Sequence, residues 1–146
     1  MLKQVMPHQL TDQQILYYHE AIGTDEHSGG LALVQRGIAE GHLGLFVWEK
    51  DECEMVIITE ILTRPDGYKE LLISMLAGTG GTAQWVEVVT EFIEEVAPSM
   101  YCDRTVAFVK KDLWDKFKQY GDVGQVVDEL YVVIGKEPSE GPDQQR

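Results

Sequence analysis

Leu71-Leu72-Ile73-Ser74-Met75-Leu76-Ala77-Gly78-Thr79-Gly80-Gly81-Thr82 is the stretch whose reading decides the fold. Residues 71–77 are an apolar run of strand length, bounded on the far side by glycines. Beyond the turn, Trp85, Val89, Phe92 and Val96 recur three or four residues apart, which is the period of one helix face. A strand, a glycine turn and a helix together present free backbone N–H groups at a positive helix end, and that combination suits a phosphate.

The neighbouring segments give this unit its context. Upstream, residues 43–48 and 55–62 read as strands, with a charged turn between them over 49–54. Pro65-Asp66-Gly67 then marks a second turn, because proline presets φ and glycine accepts φ > 0. Three strands joined by short turns predict an antiparallel meander ending at residue 77. Downstream, the helix over 82–97 is expected to stop before Pro98, and residues 105–109 form a compact strand. A strand–helix–strand connection of this length implies a crossover, so the strands around Leu72 and Val106 are expected to be parallel. Asp112 caps a last helix carrying Leu113, Trp114 and Phe117, Gly121 stops it, and residues 130–134 supply the final strand.

Two helices precede the meander. Thr11-Asp12-Gln13-Gln14 reads as a capping box, in which Thr11 caps the helix and Gln14 reaches back. Ile15, Leu16, Tyr18 and Ile22 are the expected core residues of that helix, and Gly23 ends it. Residues 24–30 are polar and read as a loop, and Leu31, Val34, Gln35 and Ile38 mark a second helix ending near Gly41. The element order is therefore α-α-β-β-β-α-β-α-β. This is an α/β (α+β) chain read as one domain over residues 1–137, with a polar tail over 138–146 that has nothing to bury.

Composition narrows the function classes. The 146 residues carry a net charge of −13, with 44% hydrophobic and 25% charged residues. Such a chain does not bind nucleic acid through bulk electrostatics. Lys110, Lys111, Lys116 and Lys118 form a small local patch or a solvated helix face. No apolar run reaches the roughly 18–20 residues of a membrane helix, and no secretory signal is evident at the N-terminus. Cys53 and Cys102 are isolated, which suggests free thiols in a reducing compartment or a single disulfide. His8, His19, His27 and His42 lack metal-ligand spacing, so no metal is expected. Glu87, Glu91 and Glu95 at i, i+4 and i+8 form an acidic stripe, read either as a solvated face or as a surface for a basic partner.

The element order resembles the GNAT superfamily of acetyl-coenzyme A-dependent N-acetyltransferases, over residues 8–137. More narrowly, Lys69-Glu70-Leu71-Leu72-Ile73-Ser74-Met75-Leu76-Ala77-Gly78 is similar to small GNAT-like proteins of tailed bacteriophages, some of which are virion or ejection proteins. The resemblance implies a mixed, mostly antiparallel central sheet with a splayed parallel strand pair and helices on both faces. It implies acetyl-CoA as cofactor, with its pyrophosphate on the loop at the helix start. The cofactor-binding residues would be Met75, Leu76, Ala77, Gly78, Thr79, Gly80, Gly81 and Thr82. Where the family loop starts with Arg or Gln this chain has Met75, and Trp114 stands at the position of a frequent tyrosine acid.

The catalytic candidates are Glu60 and Glu70 as bases on adjacent strands, and Tyr120 as a substitute acid. A solvated strand carboxylate, for each glutamate, and a packing tyrosine are the competing readings. Two functions follow. One is an N-acetyltransferase acting on an amine acceptor. The other is a catalytically inactive virion structural, ejection or interaction protein whose partners are other virion proteins. The expected location is the host cytoplasm or the virion.

Overall fold

The computed structural model describes residues 1–23, 30–108, 111–120, 124–128 and 131–134, with 108, 111–113, 120, 124–128 and 131–134 described through their backbone. The strands are β1 (Leu2–Gln4), β2 (Leu43–Lys50), β3 (Cys53–Thr63), β4 (Lys69–Gly78), β5 (Arg104–Phe108), β6 (Gly124–Asp128) and β7 (Tyr131–Ile134). The helices are α1 (Asp12–Gly23), α2 (Leu31–Ala39), α3 (Thr82–Glu91), α4 (Ala97–Ser99) and α5 (Lys111–Phe117). The sheet order is β1-β2-β3-β4-β5-β7-β6, mostly antiparallel with β4 and β5 parallel, as the crossover predicts. The chain divides into two compact units, one of residues 1–60 and 73–84 and the other of residues 61–72 and 85–146, so β3 and β4 contribute to both.

In the first unit, alternation along the strands selects the core. Leu45 pairs with Ile58 and Val47 with Val56, and all four join Met75 and Ala77 in one buried cluster. Tyr18, Ala21 and Ile22 of α1 and Val34 and Ile38 of α2 complete it. The capping box forms as expected: Gln14 N–H donates to Thr11 Oγ1 at 3.2 Å, and Thr11 N–H donates to Gln14 Oε1 at 2.9 Å. Ile15 and Leu16, expected in the core, are 36% and 60% exposed. The buried stripe of α1 is instead Gln14, Tyr18, Ala21 and Ile22, at i, i+4, i+7 and i+8. Leu31 of α2 is likewise exposed, because Val34 and Ile38 set that helix's inward face.

The charged segment between β2 and β3 is tighter than its composition suggests. Lys50 still pairs with Cys53, which leaves only Asp51 and Glu52 to reverse the chain. Both have positive φ, 51° and 67°. Two successive left-handed residues form the type I′ hairpin turn, which normally carries Asn-Gly. The double substitution Asp51→Asn with Glu52→Gly is expected to raise stability by about 1 kcal/mol, visible as a melting temperature several degrees higher.

In the second unit, Leu62, Leu72 and Val106 pack together on one sheet face. The expected Pro65-Asp66-Gly67 turn is present. Gly67 N–H donates to Arg64 O at 2.9 Å, Arg64 N–H to Tyr68 O at 2.8 Å, and Asp66 Oδ1 accepts from Tyr68 N–H at 2.9 Å. β5 pairs antiparallel with β7, and β7 with β6.

Three sequence expectations need correcting. The helix expected to stop before Pro98 runs on through it to Ser99. A proline here removes the donor that would bond to Glu94 O and crowds that carbonyl. The wide π turn Phe92–Val96 absorbs the conflict, with Ala97 N–H donating to Phe92 O five residues back. The same turn breaks the i, i+4, i+8 spacing on which the Glu87–Glu91–Glu95 stripe depends. β1, only three residues long, and β6 were not expected. Asp112 lies inside α5, after its first residue Lys111, and so is not its cap. Gly121, Leu130, the tail over 138–146 and most of the 24–30 loop fall outside the described residues.

Candidate functional site

The glycine turn lies in the first unit, where β4 ends against β3. Thr79 N–H donates to Glu54 O at 2.9 Å, and Glu54 N–H donates to Thr79 Oγ1 at 3.0 Å. The turn thus begins by extending the β3–β4 ladder one residue beyond the strand. Gly78, at φ +145°, lies against the same backbone. A Cβ there would stand 2.2 Å from Glu54 O and 2.7 Å from Met55 Cα. Glycine at 78 is therefore required by the approach of two strands. Gly80, at φ +113°, is closed in by Met55 Cε and the Gln84 side chain.

The helix start is capped by a residue that sequence reading passed over. Gln84 Oε1 accepts from Gly81 N–H at 2.8 Å, which is the return half of a capping box. Its signal was present: Gln84 stands three residues after Gly81. Glycine offers no side-chain oxygen for the other half. Thr82, Ala83 and Gln84 open α3, and first-turn N–H groups have no intrahelical acceptor. The turn therefore splits into two parts: the N–H groups of Thr79 and Gly81 are committed, while those of the first residues of α3 have no intrahelical acceptor.

Met75 and Ala77 are buried in the core cluster, so their side chains are spent there, while Leu76 is 41% exposed. No cationic side chain occurs between residues 75 and 84. On the β3 side, a cavity of about 400 Å3 is lined by Glu49, Lys50, Asp51, Glu52, Cys53 and Glu54, four of them acids. Gln14 Nε2 donates to both Glu49 Oε1 and Glu54 Oε1 at 2.9 Å, holding two of those acids in place. An anion at this turn would meet backbone donors and be opposed by the acids nearby.

Glu60, in the first unit, pairs in register with Leu43 and is partly buried. Glu70 is placed very differently. It is 2% exposed, in the second unit, and two guanidinium groups converge on it. Arg64 Nη2 donates to Oε1 at 3.1 Å and Oε2 at 3.2 Å, and Arg104 donates to Oε2 through both Nε and Nη2. Arg104 in turn lies over the Tyr68 ring, with Cζ 5.5 Å from the centroid. Beside it, Asp103 N–H donates to Lys69 O at 2.7 Å, and Asp103 Oδ2 accepts from Lys69 N–H at 2.8 Å. Glu70 thus has its oxygens engaged by two cations. Arg104 is not legible beside Glu70 in the sequence, because it lies 34 residues away and meets it only through the parallel pairing.

Trp114 is buried, as is Phe117. Tyr120 ends the short 3-10 turn Lys118–Tyr120, and its side chain lies outside the described residues. Cys102 is partly buried, and burial pushes its thiol pKa up, so the nucleophilic thiolate is disfavoured. Among the described residues, no group of three His, Cys, Asp or Glu is arranged to hold a metal, and no helix is long and apolar enough to cross a membrane.

Comparison with solved structures bears on the fold. The chain is similar to a chain of the NatC complex bound to Gag peptide and CoA, with a TM-score of 0.57 over 91% of this chain and 94% of that one, at 14% identity. The fold is GNAT-like. At that identity the likeness extends to the GNAT-like architecture alone. No family model matches the sequence, and no curated protein does.

Proposed function

We propose that this chain is a GNAT-fold protein that takes acetyl-CoA at the turn Gly78–Thr82 and transfers the acyl group to an amine. The observation that carries the reading is the start of α3, where Thr82, Ala83 and Gln84, whose first-turn N–H groups have no intrahelical acceptor, directly follow a glycine turn in a GNAT-like fold. These groups would hold the pyrophosphate, and the backbone of Met75, Leu76, Ala77, Gly78 and Gly80 would flank it. The cofactor supplies its acyl group as a thioester. The amine must lose a proton, and Glu60, which is partly buried and has no ion pair among the described contacts, is the better placed base. Glu70 is the weaker candidate because its oxygens are engaged by Arg64 and Arg104. Tyr120 remains the proposed acid.

Calorimetric titration of the chain with acetyl-CoA tests the reading. Saturable heat and thermal stabilisation are expected, and their absence at millimolar cofactor would sink it. Thr82→Pro sharpens the test. Proline suits the first turn of a helix, so folding is retained while one donor is lost. Affinity should fall roughly tenfold, the size of one hydrogen bond to a charged group.

A second reading is favoured by the committed N–H groups of Thr79 and Gly81, the engaged Glu70 and the buried Trp114. It is a GNAT-fold protein without chemistry, serving as a structural or interaction subunit of a phage virion. Mass spectrometry of purified virions detects it or removes this reading.

A further inference from the structure

The glycine turn is short of positive charge, and its neighbours are acids. No Lys, Arg or His occurs between residues 75 and 84. Recognition of an anion there falls to backbone donors, and two of these are already used: Thr79 N–H by Glu54 O and Gly81 N–H by Gln84 Oε1. What remains is one helix turn, Thr82, Ala83 and Gln84, whose N–H groups suit a single phosphate group. Coenzyme A carries a pyrophosphate and a further 3′-phosphate, so its charge exceeds what that turn can match.

The acids are held in place. Glu54 is hydrogen-bonded to Thr79 through its own backbone N–H and C=O. Its side chain shares Gln14 Nε2 with Glu49, each at 2.9 Å. Gln14 is 3% exposed and its Oε1 accepts from Thr11 N–H, so the amide is fixed at both ends. Asp51 and Glu52 reverse the chain between them, and all four acids line the same cavity of about 400 Å3. Lys50 lines it too, and the Met1 ammonium donates to Glu49 O at 3.4 Å, which leaves the acids in the majority. All of these residues lie in the first unit, as the turn does. A fixed carboxylate repels an approaching phosphate over a range of about 10 Å at 0.1 M salt. The net charge of −13 acts in the same direction.

We infer that this site selects its acyl donor by charge: it favours thioesters with fewer phosphates than acetyl-CoA, and Glu49 and Glu54 set the preference. The inference rests on acyl-donor binding at Gly78–Thr82 and adds the class of donor.

The test is calorimetric titration of the full chain with acetyl-CoA, acetyl-dephospho-CoA and S-acetyl-4′-phosphopantetheine, at about 50 mM and about 500 mM sodium chloride. Acetyl-dephospho-CoA lacks the 3′-phosphate alone, so it separates charge from the adenosine contacts. It should bind about threefold more tightly than acetyl-CoA at low salt, with the phosphopantetheine donor at least as tight as acetyl-CoA. The preference should vanish at high salt, where screening shortens the repulsion to a few ångströms. The affinity for acetyl-CoA itself should rise with salt, opposite in sign to an anion on a cationic site. Glu49→Gln with Glu54→Gln removes both charges and keeps acceptors for Gln14. In that variant the low-salt preference should shrink to less than about twofold. The donors are compared on one and the same protein, so a change in its stability does not enter the ratio. Equal or tighter binding of acetyl-CoA at low salt overturns the inference, as does a preference unchanged in the double variant. Absence of saturable heat with all three donors sinks donor binding and this inference with it, whereas binding in the reverse order sinks the inference alone.

Discussion

Gly78→Ala is expected to cost about 3 kcal/mol or more, read as a lower denaturation midpoint in urea. Two independent effects act at this position. An added methyl would sit 2.2 Å from Glu54 O and 2.7 Å from Met55 Cα, both backbone atoms. Flexible side chains can yield to such a clash, but paired strands cannot without separating. The backbone at φ +145° is also one that residues with a Cβ rarely adopt. The strands must part at the point where Thr79 bonds to Glu54, so the turn should be lost along with the stability. Gly81→Ala is the control. Its nearest neighbour is Gln84 Oε1 at 3.5 Å, an ordinary contact, and its backbone is not left-handed. It should cost less than about 1 kcal/mol. Equal effects of the two substitutions would show that Gly78 is not there because of close strand approach.

Glu70→Ala is expected to be comparably severe, at about 3 kcal/mol, because it removes the buried carboxylate that the mostly covered guanidinium of Arg104 bonds. Arg64→Gln should cost at most about 1 kcal/mol, since that side chain is half exposed and its pairing is screened by solvent. The difference between the two arginines follows from burial. Replacing both partners by apolar residues, as in Glu70→Leu with Arg104→Met, should restore much of the loss, because a desolvated charge that loses its ion pair costs more than a missing pair. Urea denaturation of the three variants checks this order. The same series separates two roles for Glu70. A residue that serves only as a general base would lose activity on substitution while keeping stability, whereas an ion-pair centre loses stability first. Recovery of the fold in the double variant would allow activity to be measured without the ion pair.

Much of the architecture was legible because it depends on local regularity. The Thr11–Gln14 capping box, the Pro65-Asp66-Gly67 turn and the strand–glycine–helix unit each depend on residues a few positions apart, and all three form. The parallel pairing of β4 and β5 followed from the crossover helix alone. Misreadings occurred where local signals conflicted or were too short. Pro98 looked like a helix end, but a π turn accommodates it. Leu16 looked like a core residue from its side chain, yet the buried stripe of α1 runs through Gln14 and Tyr18. Gln14 is buried because Glu49 and Glu54, both more than thirty residues away, accept its hydrogen bonds.

The candidate site divides along the same line. Met75–Thr82 could be marked as a strand end and phosphate-suited turn from sequence, since glycines and helical period are local properties. How that turn uses its donors could not, because Glu54 O lies 25 residues upstream of Thr79 and enters through strand pairing. The Glu70 cluster shows the contrast most clearly. A glutamate in an apolar strand reads as a base because the sequence shows a carboxylate and not its neighbours. The tertiary structure surrounds it with Arg64 and Arg104, whose guanidiniums both bond its carboxylate. By itself the sequence determined the order of elements, the turn and the acidic balance, because these depend on periodicity, turn chemistry and charge count. Only the tertiary structure decided which donors stay free and which carboxylate is committed, because hydrogen bonds and ion pairs form between groups that the chain brings together from afar.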